Sequence, residues 1–212
     1  MPEKGVFIVV EGIDGSGKGF ITSRLQEYVM NRSKKYDHVL VTREPTHGRF
    51  GQRIREILRS EKDPYAGARQ CLELYVNDRR EHLRNHIEPA LAKGYVVLCD
   101  RYKYSTIAFQ QAQGIPLAEL MASQQSMRSP DLVLLLDLPA KIGLERVRER
   151  EGKEGNEKFE QLEFAEKVRQ NYLDVARLFP TEKIFVVDAS KTREEVWAQV
   201  KKIVDDSGVL PY

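Results

Sequence analysis

The stretch Val6–Lys18, with the sequence VFIVVEGIDGSGK, decides the fold. Its first five residues are apolar and mostly β-branched, which predicts a buried strand. Three glycines among the next residues predict a tight loop, and beyond Lys18 apolar residues recur at helical spacing. A strand, a glycine-rich loop, a lysine and a helix in this order are the elements of a phosphate-binding P-loop.

The residue types of this loop suit the binding of phosphate. Glycines adopt positive φ angles and let backbone N–H groups approach an anion, and the positive end of the following helix adds to the attraction. Lys18 can reach the β- and γ-phosphates of a nucleoside triphosphate. A flexible glycine turn would explain neither this lysine nor the strand before the loop. The predicted nucleotide-binding residues are Gly12, Ile13, Asp14, Gly15, Ser16, Gly17, Lys18 and Gly19.

One position departs from the usual motif, because Gly19 stands where a serine or threonine normally holds Mg²⁺. The first hydroxyl group beyond it belongs to Thr22. A bound Mg²⁺ would therefore depend on phosphate oxygens, water and an acidic residue elsewhere. The sequence Gly-Lys-Gly also occurs in adenylate kinases, so the loop is compatible with a kinase.

The composition restricts the class of protein. A chain of 212 residues with 41% apolar and 31% charged residues suits a folded α/β domain. Its net charge of +2 argues against a general nucleic-acid-binding or membrane-binding surface. We expect no spanning helix and no signal peptide, since Glu3 and Lys4 lead directly into a strand. Cys71 and Cys99 are predicted to be buried, reduced thiols, which suits a cytoplasmic location.

Strands and helices are predicted to alternate along the chain, because short apolar runs are separated by stretches of helical periodicity. The predicted strands are Val6–Val10, Val39–Thr42, Tyr95–Cys99, Leu132–Leu136 and Lys183–Val187. Helices are predicted after Lys18, over residues 51–59, 66–92, 139–150, 160–178 and 192–206, and on either side of Gly114 and Pro116. This order predicts an α/β fold of the P-loop NTPase class. We expect a three-layer sandwich, with a five-stranded parallel sheet and helices on both faces, in a single domain over residues 1–212.

Polar residues directly follow several of these strands. Arg43 and Glu44 follow the second strand, Asp100 and Arg101 the third, and Asp137 the fourth. Ligands of parallel sheets bind at the carboxyl ends of the strands, so one active site is expected there. Asp100 is our candidate for holding Mg²⁺, directly or through water, and Asp137 is the alternative. Each carboxylate could instead cap the helix that follows it.

The stretch from residue 146 to 158 alternates basic and acidic residues and contains Gly152 and Gly155. One interpretation is a solvated helix face. The other is a short lid with a glycine hinge, which brings an arginine onto a transferring phosphoryl group. We favour the lid, because phosphoryl transfer requires cations at the γ-phosphate.

His82 and His86 are four residues apart on the long predicted helix, a spacing that metal ligands can have. Arg80, Glu81 and Arg84 surround the pair. We therefore expect a polar helix surface there and no metal site.

Several short motifs occur together at characteristic spacing. They are Gly12–Lys18, Thr42–Pro45 (TREP), Leu74–Arg79 (LYVNDR), Asp100–Tyr102 (DRY) with Ser105 and Ala108–Gln110, Pro130–Leu132, and Lys158–Glu160. Over nearly its whole length the chain resembles the thymidylate kinases, P-loop enzymes that phosphorylate dTMP. The family usually carries an arginine at the position of Lys158, and a lysine offers a point charge in place of a bidentate fork.

The resemblance implies a role for each matching residue of the acceptor site. Tyr75 would stack on thymine, Arg79 would hydrogen-bond the base, and Arg101 would hold the acceptor phosphate. Asp14 would lie near the sugar 3′-hydroxyl, and Phe109 stands where many members carry a tyrosine near C2′. The implied substrate-binding residues are Asp14, Arg43, Glu44, Tyr75, Arg79, Arg101, Ser105, Thr106, Phe109 and Gln110.

The resemblance also implies the reaction, which is transfer of the γ-phosphoryl group of ATP to dTMP in dTTP biosynthesis, with Mg²⁺ as cofactor. Lys18 and Arg101 would be catalytic. Some members place a further arginine in the P-loop, but this chain has Gly15 and Ser16 there, so the lid residues Arg148 and Arg150 are the candidates. The family further implies a homodimer, formed through the helix after the P-loop and helices around residues 66–90.

Two alternatives stay open at this point. A broader nucleoside monophosphate kinase, accepting dUMP or other acceptors, is compatible with Gly-Lys-Gly, although the pairing of Tyr75 with Arg79 argues against it. An ATP-binding switch or scaffold without catalysis would explain Gly19. Partners other than nucleotides and a second copy of the chain are not expected, and neither nucleic acid nor membrane is among the predicted ligands.

Overall fold

The computed structural model describes residues 5–32, 38–61, 63, 65–151 and 162–210. Within these residues five strands form one parallel sheet in the order β2-β3-β1-β4-β5. The strands are β1 (Val6–Glu11), β2 (Val39–Arg43), β3 (Val96–Asp100), β4 (Leu132–Asp137) and β5 (Ile184–Asp188). The predicted parallel α/β sheet is therefore confirmed.

Helices occupy the connections between the strands. They are α1 (Lys18–Arg32), α2 (Arg49–Ser60), α3 (Ala68–His82), α4 (Glu88–Ala92), α5 (Lys103–Ala112), α6 (Leu117–Gln124), α7 (Ala140–Glu151), α8 (Leu162–Leu178) and α9 (Arg193–Ser207). The second of these begins two residues before its predicted start at residue 51.

The central strands are buried on both sides, which is why they are apolar without alternation. Every residue of β1 is buried, as are the first five of β4. β1 pairs with β3 from Val6 opposite Val96 to Val10 opposite Asp100, and with β4 from Ile8 opposite Leu132 to Glu11 opposite Leu135. This register places Glu11, Asp100 and Asp137 at one edge of the sheet, beside the P-loop.

The long helix predicted over residues 66–92 is present from Ala68, but it contains a π-helical turn at Leu83–Ile87. Pro89 explains the irregularity. A proline inside an α-helix has no N–H to donate, and its ring clashes with the carbonyl group four residues earlier. The wider π turn immediately before it relieves this clash and keeps the helix continuous.

Cys71 and Cys99 are buried and form no disulfide, as predicted. Among the described helices none is long and apolar enough to cross a membrane.

Candidate functional site

The P-loop has the conformation that its glycines predict. Gly12, Gly15 and Gly17 have φ angles of 140°, 78° and 92°, which residues other than glycine rarely adopt. The Lys18 Nζ atom donates to the carbonyl oxygens of Gly12 at 3.1 Å and Ile13 at 2.8 Å, so the ammonium group folds back over the loop. Desolvation, followed by the charge of Arg101, lowers the pKa of Lys18 to about 8.

Arg101 links the P-loop to the helix that follows β3. Its Nη2 atom donates to Asp14 Oδ1 at 2.7 Å, and its Nη1 atom lies 3.3 Å from the Gly12 carbonyl oxygen. The residue has a φ of 70°, unusual for a non-glycine residue, so the backbone is held in a strained conformation that aims the guanidinium group at the loop. Against the opposing effect of desolvation, the charges of Arg101 and Lys18 lower the pKa of Asp14.

A cleft of about 260 Å³ opens on one side of the P-loop. We call it the Tyr75 cleft. Its lining contains every residue that the sequence assigned to the acceptor, namely Asp14, Arg43, Glu44, Tyr75, Arg79, Arg101, Ser105, Thr106, Phe109 and Gln110. Tyr75 and Arg79, one helical turn apart, both line this cleft. The cleft is also lined by Arg55, which no motif of the sequence marks.

Arg79 is fully buried and held by three partners at the back of this cleft. Its Nε atom donates to Glu44 Oε2 at 2.7 Å, its Nη1 atom to Gln124 Oε1 at 2.5 Å, and its Nη2 atom to Thr106 Oγ1 at 3.0 Å. Glu44 is also buried, so its carboxylate pairs with Arg79 and is little exposed at the opening of the cleft. Gln110 Oε1 is a buried acceptor with no hydrogen-bond partner in the described part of the chain.

The expected polar helix surface at His82 and His86 is wrong for the first of the two. His82 is buried, and its Nδ1 atom lies 3.0 Å from Glu44 Oε1 while its Nε2 atom lies 2.7 Å from Thr42 Oγ1. His86 is exposed. Because His82 follows Arg79 by three residues, both lie on one helix face, and that spacing was the signal for its burial. No group of three potential metal ligands is found in the described residues.

A second cleft of about 620 Å³, which we call the P-loop cleft, lies on the other side of the loop. Gly15–Gly17 form one wall, α7 contributes Arg146 and Arg150, and residues Ala189–Arg193 form the far end. Arg146 Nη1 lies 3.1 Å from the Ala189 carbonyl oxygen and 3.4 Å from that of Gly15. No sequence motif marks the segment after β5, although its position at the carboxyl end of a strand was a signal for a ligand site.

The two lid arginines chosen from the sequence differ in position. Both are exposed on α7, but Arg150 lines the P-loop cleft and Arg148 does not. The rest of the predicted lid, including Gly152, Gly155 and the motif Lys158–Glu160, lies outside the described residues.

The two candidate metal-binding aspartates have different surroundings. Both oxygens of Asp137 accept from Arg169, at 2.7 Å from Nε and 3.0 Å from Nη2. Asp100 Oδ1, in contrast, is a buried oxygen without a hydrogen-bond partner among the described residues. A side chain at Gly19 would meet nothing within 4 Å, and a cavity of about 690 Å³ extends between Gly19 and Asp100. The arrangement favours Asp100, and it leaves space for a hydrated cation.

Backbone contact between α7 and the P-loop requires two glycines. A Cβ atom on Gly15 would lie 2.1 Å from the carbonyl oxygen of Gly143, and a Cβ atom on Gly143 would lie 2.6 Å from the carbonyl oxygen of Asp14. Real Cβ atoms essentially never approach within 3.0 Å. The helix that carries Arg146 and Arg150 therefore packs directly on the loop.

Comparison with known proteins agrees with this geometry. A family model described as thymidylate kinase matches residues 10–200. A "Probable thymidylate kinase" of Pyrococcus abyssi is 40% identical over 205 residues, covering 95% of this chain and 96% of that protein. A "Thymidylate kinase" of a Geobacillus species is 38% identical over 208 residues, covering 96% and 97%.

Among solved structures, the crystal structure of thymidylate kinase from Ehrlichia chaffeensis superposes with a TM-score of 0.74 at 26% identity. The match covers 95% of this chain and 100% of the other.

Proposed function

The chain belongs to the thymidylate kinase family, and on that premise we propose how its residues carry out the reaction. The enzyme transfers the γ-phosphoryl group of ATP to dTMP and gives dTDP and ADP. The observation that supports our assignment of residues is the position of Arg101, which donates to Asp14 in the P-loop and also lines the Tyr75 cleft. A guanidinium group at this junction can hold an acceptor phosphate next to the donor.

We assign the P-loop cleft to ATP. The loop amides and Lys18 bind the β- and γ-phosphates, and the nucleoside extends toward Ala189–Arg193, where the cleft continues. Of the two lid candidates Arg150 is the better placed to neutralise charge on the transferring group, since it lines this cleft. We assign residues 1–212 to one nucleoside monophosphate kinase domain, with the lid at about residues 146–158.

We assign the Tyr75 cleft to dTMP. Thymine stacks on Tyr75, and Arg79 and the unpartnered Gln110 Oε1 supply a donor and an acceptor for its polar edge. Glu44, Thr106 and Gln124 fix the Arg79 guanidinium, so the base meets a donor whose orientation is set before binding. The acceptor phosphate is already anionic, so the transfer needs no strong general base.

The residues present fit a Mg²⁺ ion held next to the Asp100 carboxylate. This carboxylate has a buried oxygen without a partner, and the space at Gly19 admits the water that would replace a serine or threonine ligand. When bound, the ion would neutralise charge on the β- and γ-phosphates. We expect the Mg²⁺-dependent binding of ATP to be lost in Asp100→Asn and kept in Asp137→Asn. This result would support the assignment of Mg²⁺ to Asp100.

The function is tested by a coupled ADP-release assay with ATP and Mg²⁺, comparing dTMP, dUMP, UMP, CMP, AMP and GMP, with Lys18→Ala as the blank. We expect dTMP to be the best substrate, and dUMP to be poorer by roughly 10- to 200-fold, because one methyl group is worth only about 1–3 kcal/mol in a pocket. Equal rates across the panel would indicate a permissive kinase. Binding of ATP without turnover of any acceptor would favour a switch or scaffold.

The affinity for ATP is expected to decrease between pH 7.5 and pH 9. Lys18 has a pKa of about 8 without nucleotide, whereas phosphate favours its charged form. Above pH 8 the enzyme must therefore take up a proton to bind, and each further pH unit weakens binding by up to about tenfold. Calorimetry with a non-hydrolysable ATP analogue measures both the affinity and the proton uptake. Lys18→Arg keeps its charge in this range and should remove the pH dependence; an unchanged affinity of the wild type up to pH 9 would contradict the prediction.

We also propose a homodimer and a cytoplasmic location. The dimer is implied by the family and would use α1 together with helices around residues 66–90; Met30, on α1, exposes 53% of its surface. Sedimentation of a single 24.4 kDa species would contradict the dimer. The location is supported by two free buried cysteines, which suit a reducing compartment, and cell fractionation would test it.

A further inference from the structure

Tyr172 belongs to α8, yet its hydroxyl group lies among the residues that hold Arg101. The Tyr172 Oη atom is 3.1 Å from Arg101 Nη1, 2.7 Å from Ser105 Oγ and 3.1 Å from Glu11 Oε2. Nothing in the sequence marks this role, because Tyr172 continues an apolar stripe with Phe164 and Val168 and has the spacing of a core residue.

The three partners of the hydroxyl group form a chain of hydrogen bonds that runs from the Arg101 guanidinium group to the carboxyl group of Glu11. Arg101 donates to Tyr172, whose single hydroxyl proton lies within reach of the Glu11 carboxyl group and of Ser105, and Ser105 in turn contacts the same carboxyl group. Glu11 Oε1 also accepts from the backbone N–H groups of Tyr102 and Ser105, so the turn that carries Arg101 is attached to the same carboxyl group. A cationic donor at one end strengthens the bonds beyond it.

The ring of Tyr172 supports the same arginine from a second direction. It packs edge-on against Phe109, with ring centroids 6.3 Å apart at 89°. The Arg101 guanidinium lies 5.3 Å from the centroid of Phe109. The tyrosine therefore fixes both the hydrogen-bonding direction of the guanidinium group and the aromatic face against which it packs.

The helix that carries Tyr172 is itself firmly attached to the sheet. Arg169, one turn earlier, donates two hydrogen bonds to the carboxylate of Asp137 at the end of β4. The side-chain amide of Asn171 donates to the Ala108 carbonyl oxygen at 2.9 Å. A side chain on such an anchored helix can hold a flexible arginine in one orientation at little entropic cost.

We propose that Tyr172 is a positioning residue for phosphoryl transfer, because its hydroxyl group holds Arg101 in the orientation that meets the acceptor phosphate. The proposal rests on the assignment of Arg101 to the acceptor made above. It extends the site to a residue of α8 that does not line the Tyr75 cleft. Burial, followed by the nearby Glu11 carboxyl group, raises the pKa of Tyr172 well above its ordinary value, so the hydroxyl group stays protonated during turnover.

The test is Tyr172→Phe, which removes the hydroxyl group and keeps the ring. We expect kcat/KM for dTMP to fall about tenfold, the effect of one charge-assisted hydrogen bond. The affinity for ATP should stay the same. Calorimetric titration with dTMP, which needs no turnover, should show weaker binding by a similar factor.

Tyr104→Phe is the matched control for a purely structural effect. Tyr104 is also a buried tyrosine whose hydroxyl group donates to a glutamate, Glu182, away from both clefts. Both variants should lose a similar amount of thermal stability, but only Tyr172→Phe should change kcat/KM for dTMP. Equal kinetic losses in the two variants would overturn the proposal.

A double-mutant cycle with Arg101→Lys decides whether Tyr172 acts through the arginine. In the Arg101→Lys background, Tyr172→Phe should have little further effect on kcat/KM. A full tenfold loss in that background would overturn the proposal, as would wild-type kinetics in the single variant. If the wild-type enzyme used another acceptor in place of dTMP, the function proposed above would fail, and the same cycle with that acceptor would still decide the role of Tyr172.

Discussion

Replacing Arg101 by lysine is expected to lower kcat/KM for dTMP by about 100- to 1000-fold, the usual loss when a fixed donor to a developing charge is removed. The guanidinium group spans from Asp14 Oδ1 on one side to Ser105 Oγ and Tyr172 Oη on the other. A lysine keeps the positive charge, but its single ammonium group cannot make both sets of contacts and hold a phosphate. The backbone φ of 70° is equally unfavourable for both residues, so the substitution tests the side chain alone.

Arg128→Lys is the matched control for this prediction. Arg128 makes the same type of ion pair, 2.9 Å from Glu88, but it precedes β4 and so lies at the opposite edge of the sheet. Steady-state kinetics should be unchanged in this control, as expected for a pair that is partly exposed to solvent. If Arg101→Lys reduced kcat/KM for dTMP by less than tenfold, the assignment of this residue to the acceptor phosphate would be wrong.

The parts of the fold that the sequence predicted are those decided by local patterns. The strands of the sheet are buried apolar runs, and the P-loop requires glycines at fixed spacing, so each could be recognised within about ten residues. The residues that we propose for the acceptor have a different origin: the family resemblance implied them, and all of them line one cleft in the structure.

What the sequence did not reveal depends on contacts between distant segments. His82 was expected at the surface because its neighbours along the chain are charged, but its partner Glu44 is 38 residues away. Asp137 and Asp100 both follow strands, and the sequence favoured Asp100 without showing that Arg169, 32 residues beyond Asp137, occupies both oxygens of the Asp137 carboxylate. Tyr172 is the extreme case, since Glu11, its partner, lies 161 residues before it.

Gly143→Ala is expected to lower kcat/KM for ATP by about 100-fold, although the same change stabilises an ordinary helix by about 1 kcal/mol. Gly143 lies inside α7, where the Cβ atom of alanine would be 2.6 Å from the carbonyl oxygen of Asp14. The obstacle is backbone and not the end of a flexible side chain, so either the helix or the P-loop must move. A displaced loop no longer directs its amides at the phosphates, and a displaced helix carries Arg146 and Arg150 away from the P-loop cleft.

Glu145→Ala separates this steric effect from helix propensity. Glu145 is exposed on the same helix, so alanine there changes the propensity of α7 without approaching the loop. Calorimetry with a non-hydrolysable ATP analogue should show normal affinity for Glu145→Ala and strongly reduced affinity for Gly143→Ala. Normal ATP affinity in Gly143→Ala would mean that α7 can withdraw from the P-loop without cost, and the direct packing of the two would then play no part in binding the donor. If only Gly143→Ala loses affinity for ATP, the glycine is required so that α7 can approach the phosphate-binding loop. Helix propensity alone would count the same glycine as destabilising.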